Sequence, residues 1–271
     1  MDPSPALPAR STDHRFRLRS GHASRSLLLL ALLAAPLALA AQPAGAIGEG
    51  YFFHRPIVSL TVRGGLDRPT AASDIWSFTT SNLTVNKGDF LAPGYQVDLG
   101  FRLSNRAEVV FASGLSVRST GSEFRKFIDN NDKPIEQTTR LRRLPVTMGL
   151  RYALRAPEER LGKLAWVPAR FTPWVGAGGG FLNYTFSQRG DFVDFQTFNV
   201  FKQDYVISGW TPMGYANVGL DTKLTTRLWL TTDFRYSMAR ASMNTPGSKF
   251  SGFNNIDLSG AAATMGFTVR M

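Results

Sequence analysis

The chain contains no cysteine, which removes disulfide scaffolds, thiolate nucleophiles, iron–sulfur clusters and cysteine zinc sites. Histidine is nearly as scarce, and only His54 lies beyond the N-terminal segment. Ser59 nearby lacks an acidic third member, so a histidine-based hydrolase is not expected and His54 reads as a polar lead-in residue. After Ala46 there is no apolar run long enough for a membrane-spanning helix and no sustained helical apolar stripe. Basic residues are not gathered either. Lysine and arginine outnumber aspartate and glutamate by 31 to 20, a formal charge of +11, yet beyond the N-terminal segment the arginines stand singly among acids. That spacing argues against a nucleic-acid partner. Asp129, Asp132 and Glu136 read as a solvated acidic loop, and the Gly176 to Gly180 run lacks the lysine and helix of a phosphate loop. No catalytic, metal or cofactor-binding residue is expected.

Residues 1–46 read as a cleaved export signal. Arg10, Arg15, Arg17, Arg19 and Arg25 form a basic region, Leu27 to Ala41 an apolar core broken by Pro36, and Ala38-Leu39-Ala40 and Ala44-Gly45-Ala46 offer small-residue cleavage sites. The apolar core is shorter than the roughly 20 residues of a transmembrane helix. Residues 47–271 are then one mature domain.

That domain repeats a period of two. In Tyr95 to Leu103 the odd positions Tyr95, Val97, Leu99, Phe101 and Leu103 are large and apolar, while Gln96, Asp98, Gly100 and Arg102 are small, polar or charged. Successive strand side chains point to opposite faces, so one face is apolar and the other carries charge. The pattern predicts seven further strands at 56–66, 106–119, 138–153, 170–187, 209–221, 226–238 and 255–270. Long polar connections at 67–92, 120–137, 188–208 and 239–254 alternate with short ones at 104–106 and 221–226. The exception is 154–169, where Pro157 followed by two glutamates suggests a short helix.

Eight long strands, export and aromatic rims (Tyr95, Trp210 and Tyr236 at one edge, Tyr152 and Phe171 at the other) point to a closed eight-stranded antiparallel up-and-down transmembrane β-barrel. Lipid would leave the edge groups of an open sheet unpaired at several kcal/mol each, so the first and last strands must pair. A soluble barrel that buries the apolar face is the rival. An eight-stranded lumen is only wide enough for side chains to fill it. Gly149, Gly176, Gly178 and Gly219 make room there beside Arg151, Trp174 and Trp229. The predicted lumen charges are Arg63, Asp98, Arg102, Glu108, Arg143, Arg151, Asp221, Arg227, Asp233 and Arg235, either as structural filler or, through an excess of arginine, as a narrow anion path.

The segments Pro173-Trp-Val-Gly-Ala-Gly-Gly-Gly-Phe181, Leu144-Pro-Val-Thr-Met-Gly-Leu-Arg-Tyr152 and Gly266-Phe-Thr-Val-Arg-Met271 resemble the small bacterial outer-membrane β-barrel family that includes the OmpA transmembrane domain and OmpW-like proteins. The resemblance covers roughly residues 51–271. It implies an outer-membrane location in a Gram-negative-type cell envelope, with both termini periplasmic. The ending resembles the C-terminal signal read by the barrel assembly machinery, with Met271 where members usually carry phenylalanine or tryptophan. Family members range from structural anchors and surface binders to narrow conduits. A non-enzymatic structural or surface-interaction role through the long loops is expected, with a porin-like conduit for small or apolar solutes as the alternative. Strand parity places Arg140, Arg142 and Arg240 on the outward side near the external rim, where they would meet outer-membrane lipids and the phosphates of lipopolysaccharide.

Overall fold

A computed structural model describes residues 50, 52, 54–128, 132–161, 165–194, 196–197, 199–244, 250 and 252–271. The expected export signal and Asp129 lie outside them. The eight long strands are β1 (Val58–Pro69), β2 (Ala92–Arg102), β3 (Ala107–Ile128), β4 (Pro134–Ala153), β7 (Phe171–Val193), β8 (Val200–Lys223), β9 (Leu228–Ser242) and β11 (Gly260–Arg270). Between them lie helix α1 (Asp74–Asn82), a 3-10 turn (Lys87–Phe90), a small hairpin β5 (Glu158–Leu161) and β6 (Ala165–Pro168), and the short strand β10 (Asn255–Asp257).

Each long strand pairs antiparallel with its neighbours in the order β1, β2, β3, β4, β7, β8, β9, β11, and β11 pairs back onto β1 from Ser59↔Arg270 to Pro69↔Gly260. The circuit therefore has two partners for every long strand and no free edge. Both ends of the described chain meet at one end of this ring, where the N–H groups of Ile57 and Val58 donate to the Met271 carbonyl at 2.8 and 3.1 Å. We term this the terminal end and the opposite one the loop end.

The alternation read from sequence sets the two faces. Along β9, Trp229, Thr231, Asp233, Arg235, Ser237, Ala239 and Ala241 are buried, while Phe234, Tyr236 and Met238 stand outside. Outward apolar side chains are open over the whole ring, with Val62 at 45%, Met148 at 55%, Phe234 at 55% and Met265 at 56% exposure. Between the two ends of the ring, Arg63, Asp98, Arg151, Asp233 and Arg235 point inward. The sheet is thus the reverse of a soluble sandwich, whose apolar face is the buried one.

Several expectations are corrected. Several strands outrun their predicted ends: β3 continues to Ile128, β7 to Val193, and β8 begins at Val200. Segments 120–137 and 188–208 are polar because half of each extended strand faces solvent, yet their inner residues Phe124, Ile135, Val193 and Ile207 are buried. The eighth predicted strand is two, β10 and β11, interrupted at Leu258 and Ser259. Finally, the expected helix at 154–169 is the β5–β6 hairpin. Its Glu158 side chain is drawn into the barrel mouth by Arg102, at 2.5 and 2.6 Å, and Phe52 bridges Trp166 through two backbone hydrogen bonds of 2.8 and 2.9 Å. Helical geometry would forgo both.

The segment 67–92, read as a polar loop, instead supplies a plug. Helix α1 buries Ile75, Trp76 and Thr79, and the 3-10 turn buries Phe90. The Trp76 ring meets Phe90 edge-on at 4.8 Å and Phe186 at 5.2 Å, and its indole N–H donates to the Asp257 carbonyl at 2.9 Å. With Leu83, Val85, Leu182, Met243, Ile256 and Leu258 these residues form an apolar core inside the loop end of the ring. A nine-residue helix is marginal alone, so its stability comes from this packing.

Candidate functional site

Below the plug, the lumen holds layered ion pairs. Nearest the plug, Arg143 donates to both Asp67 oxygens at 2.8 and 3.0 Å and to Ser237 at 3.1 Å. In the middle, Arg63 bridges Asp98 at 2.5 Å and Asp233 at 2.9 Å. Gln96 donates to Asp98 and Asn217 to Asp233, each at 2.6 Å, and the Arg235 guanidinium lies 4.3 Å from the Tyr215 ring centre.

Toward the terminal end, fully buried Asp221 is the hub. It accepts from Arg151, from Arg270 at 2.5 Å, from the Thr231 hydroxyl at 3.0 Å and from the Trp174 indole at 3.1 Å. Arg151 stacks 4.0 Å from the Trp174 ring and reaches Glu108 at 3.9 Å, while Ser59 also donates to Glu108. Arg270 lies 4.6 Å over Trp229 and 3.8 Å from Glu158, which Arg102 grips through two bonds. Glycine makes this crowding feasible: a Cβ on Gly219 would sit 2.2 Å from Trp174, and one on Gly149 2.3 Å from the Tyr215 hydroxyl.

Of the predicted lumen charges, Arg63, Asp98, Arg102, Glu108, Arg143, Arg151, Asp221, Asp233 and Arg235 are brought together here. Arg227 is not. It is exposed in the turn before β9 and contributes only its backbone carbonyl, which accepts from the Arg270 N–H at 3.0 Å. The inward alternation of β9 begins only at Trp229.

Three members were missed. Asp67 belongs to a strand that runs beyond its predicted end, Arg270 already had inward parity in the last strand, and Glu158 carried no signal. With them, Arg63, Arg102, Arg143, Arg151, Arg235 and Arg270 face an equal number of carboxylates, Asp67, Asp98, Glu108, Glu158, Asp221 and Asp233. The expected excess of arginine disappears. Arg63, Asp98, Tyr215, Asn217 and Arg235 border a cavity of about 20 Å³, room for a water or so.

Outside, Arg140 and Arg240 are exposed with outward parity, and Arg142 donates to the Asn183 side chain at 2.9 Å. They sit on two separate parts of the wall, β4 and β9, with β7 and β8 between.

No protein-family model matches the chain, and no curated protein is similar to it in sequence. Among solved structures, the outer membrane protein OprG of Pseudomonas aeruginosa is similar at 14% identity, covering 81% of this chain and 99% of its own, with a TM-score of 0.44. The N-terminal β-barrel domain of OprF from the same organism gives 10%, 80%, 100% and 0.34, and Ail of Yersinia pestis 10%, 79%, 99% and 0.39. These likenesses do not single out an OmpA- or OmpW-like group, and at this level the architecture stands on the ring of strand pairings itself.

Proposed function

We propose that this chain is a non-enzymatic transmembrane barrel of the bacterial outer membrane, with its terminal end in the periplasm and its loop end outside, serving a structural or surface-interaction role. The observation that carries this reading is the continuous outward apolar wall around a ring whose buried face is charged. Such a wall is a solvation liability in water and matches a hydrocarbon slab. Folding into lipid vesicles, read as heat-modifiable mobility, tests it. Met148→Arg on the outward face should cost about 2–4 kcal/mol of stability in the bilayer; folding to a soluble monomer without detergent or lipid would overturn the reading.

The lumen argues against the conduit. Balanced charges fill its middle, an apolar plug occupies the loop end, and Glu158, Trp229 and Phe52 close the terminal mouth, the last two stacked at 6.4 Å. Planar-bilayer recordings should therefore be silent, and reproducible unitary currents would reinstate the conduit. Insertion would depend on the barrel assembly machinery through the Gly266 to Met271 ending. Arg140, Arg142 and Arg240 are proposed to contact lipopolysaccharide phosphates at the outer rim. Glutamine at all three should weaken retention at low salt and change little at high salt, because exposed contacts are screened.

A further inference from the structure

The exposed charges at the two ends of the ring are organised differently. At the loop end bases alternate with acids: Arg189 pairs with Asp204 at 2.5 Å, and Lys202 lies 3.9 Å from Asp191. At the terminal end Arg106, Arg155, Arg160, Arg170 and Arg227 are exposed and Lys223 is half-buried, and Glu159 is the one exposed carboxylate side chain among the described residues there, paired with Arg155 at 2.8 Å. Three of the bases form a contiguous group on neighbouring strand ends. The Arg170 carbonyl accepts from the Lys223 N–H at 2.9 Å, and Arg227 closes the four-residue turn that follows Lys223. Asp221 is close in sequence but fully buried and committed to Arg151 and Arg270.

These three cations border the apolar wall. The Arg170 guanidinium lies 5.4 Å from the ring of Phe171, which is 46% exposed, and Leu224, between Lys223 and Arg227, is 48% exposed. A cation beside an outward apolar side chain lies where hydrocarbon gives way to headgroups. There its stem can cover apolar surface while the charge reaches phosphate.

We propose that Arg170, Lys223 and Arg227 form a binding site for the phosphates of anionic phospholipid headgroups in the leaflet at the terminal end. The site rests on the membrane reading above and is distinct from the outer-rim arginines. Each basic residue near an anionic surface strengthens attachment about fivefold, so a cluster of three discriminates a net-negative headgroup from a zwitterionic one. Among the described residues no acidic side chain pairs with these three, so none offsets that attraction.

The test uses the folded protein titrated with phosphatidylglycerol or phosphatidylethanolamine of equal chain length, with bound lipid counted by native mass spectrometry. Phosphatidylglycerol should be retained at least about tenfold more tightly, and the preference should shrink as salt rises. The variant Arg170→Gln/Lys223→Gln/Arg227→Gln should bind the two lipids within about twofold of each other. Lys87→Gln/Lys126→Gln/Lys133→Gln, which removes equal charge at the loop end, should leave the preference intact. An unchanged preference in the first variant, or a wild-type preference indifferent to salt, would overturn the proposal. So would binding of soluble peptidoglycan fragments by these residues without lipid preference, which would assign the surface to the wall. A protein that enters vesicles of both lipids but prefers neither fails this proposal alone, whereas one that enters neither fails the membrane reading.

Discussion

The two halves of the barrel interior solve the same packing problem with opposite chemistry. In the terminal half the walls are tied by Asp221, Arg151, Arg270, Arg63, Asp98 and Asp233, nearly all inaccessible to solvent. In the loop half Trp76, Phe90, Phe186, Leu182 and Ile256 fill the ring as a protein core does. A closed ion-pair network is no more stabilising than an apolar filling of the same volume, but removing one member leaves the others charged and uncompensated. An apolar core instead loses in proportion to the contacts removed and the cavity left. The charged half should therefore fail globally and the plug locally.

The largest effect is expected at the hub. Asp221→Asn leaves Arg151 and Arg270 buried beside a neutral amide, at a cost of about 3–5 kcal/mol. Urea unfolding of the vesicle-inserted protein should register it as a lower midpoint for the entire barrel. A wild-type midpoint would show that the two halves do not differ in this way.

Trp76→Ala probes the other half. Truncating a buried tryptophan costs about 3–5 kcal/mol, here spent on the plug, because the strands below keep their own ladder. Limited proteolysis should cut α1 and the neighbourhood of β10, where the Trp76 indole meets the Asp257 carbonyl, while heat-modifiable mobility persists. Loss of the folded band would mean the plug supports the ring, and unchanged protection would mean it carries little of the loop end.

Gly178→Ala tests the narrow fit of the lumen wall. Its Cβ would lie 2.4 Å from the Met148 carbonyl oxygen and 2.9 Å from the Tyr215 ring. Overpacking of this kind costs about 1–3 kcal/mol, and thermal unfolding should move accordingly.

The same division explains how much was legible in sequence. The wall was legible, because a strand with one apolar face and one charged face writes a period of two; β2 and most of β9 show it, although Thr232 and Arg240 share the outer face of β9. So was most of the charged half, since parity alone sends Arg63, Asp98 and Asp233 inward. Glu158 was not, because its position depends on a hairpin stabilised by contacts distant in sequence, with Arg102 and Phe52. The plug was hidden for a similar reason. Ile75, Trp76 and Phe90 lie scattered among Ser, Thr, Asn and Asp, and only the enclosing ring turns them into a core. Arg227 failed because parity was carried past the point where the strand begins.

The smallest effect should come from the hydroxyl chain at the seam where the first and last strands meet. Thr268 lies 2.7 Å from the Thr61 hydroxyl across the β1–β11 pairing and 2.6 Å from that of Thr231, which donates to Asp221 at 3.0 Å. The seam is thus tied to the hub by side chains as well as by the backbone ladder. Thr268→Val keeps the shape and β-branching but removes the central hydroxyl. Thr231 keeps Asp221 as its acceptor but loses the Thr268 hydroxyl that donates to it, and Thr61 loses its Thr268 partner as well. The net worth of such a hydrogen bond is about 0.5–1.5 kcal/mol, and the two lost here together remain below the cost of Asp221→Asn. The urea midpoint should fall by a matching amount with an unchanged slope, because the surface exposed on unfolding is the same. A loss as large as that of Asp221→Asn would place the hydroxyls within the cooperative charge network, and no loss at all would confine closure to the backbone ladder.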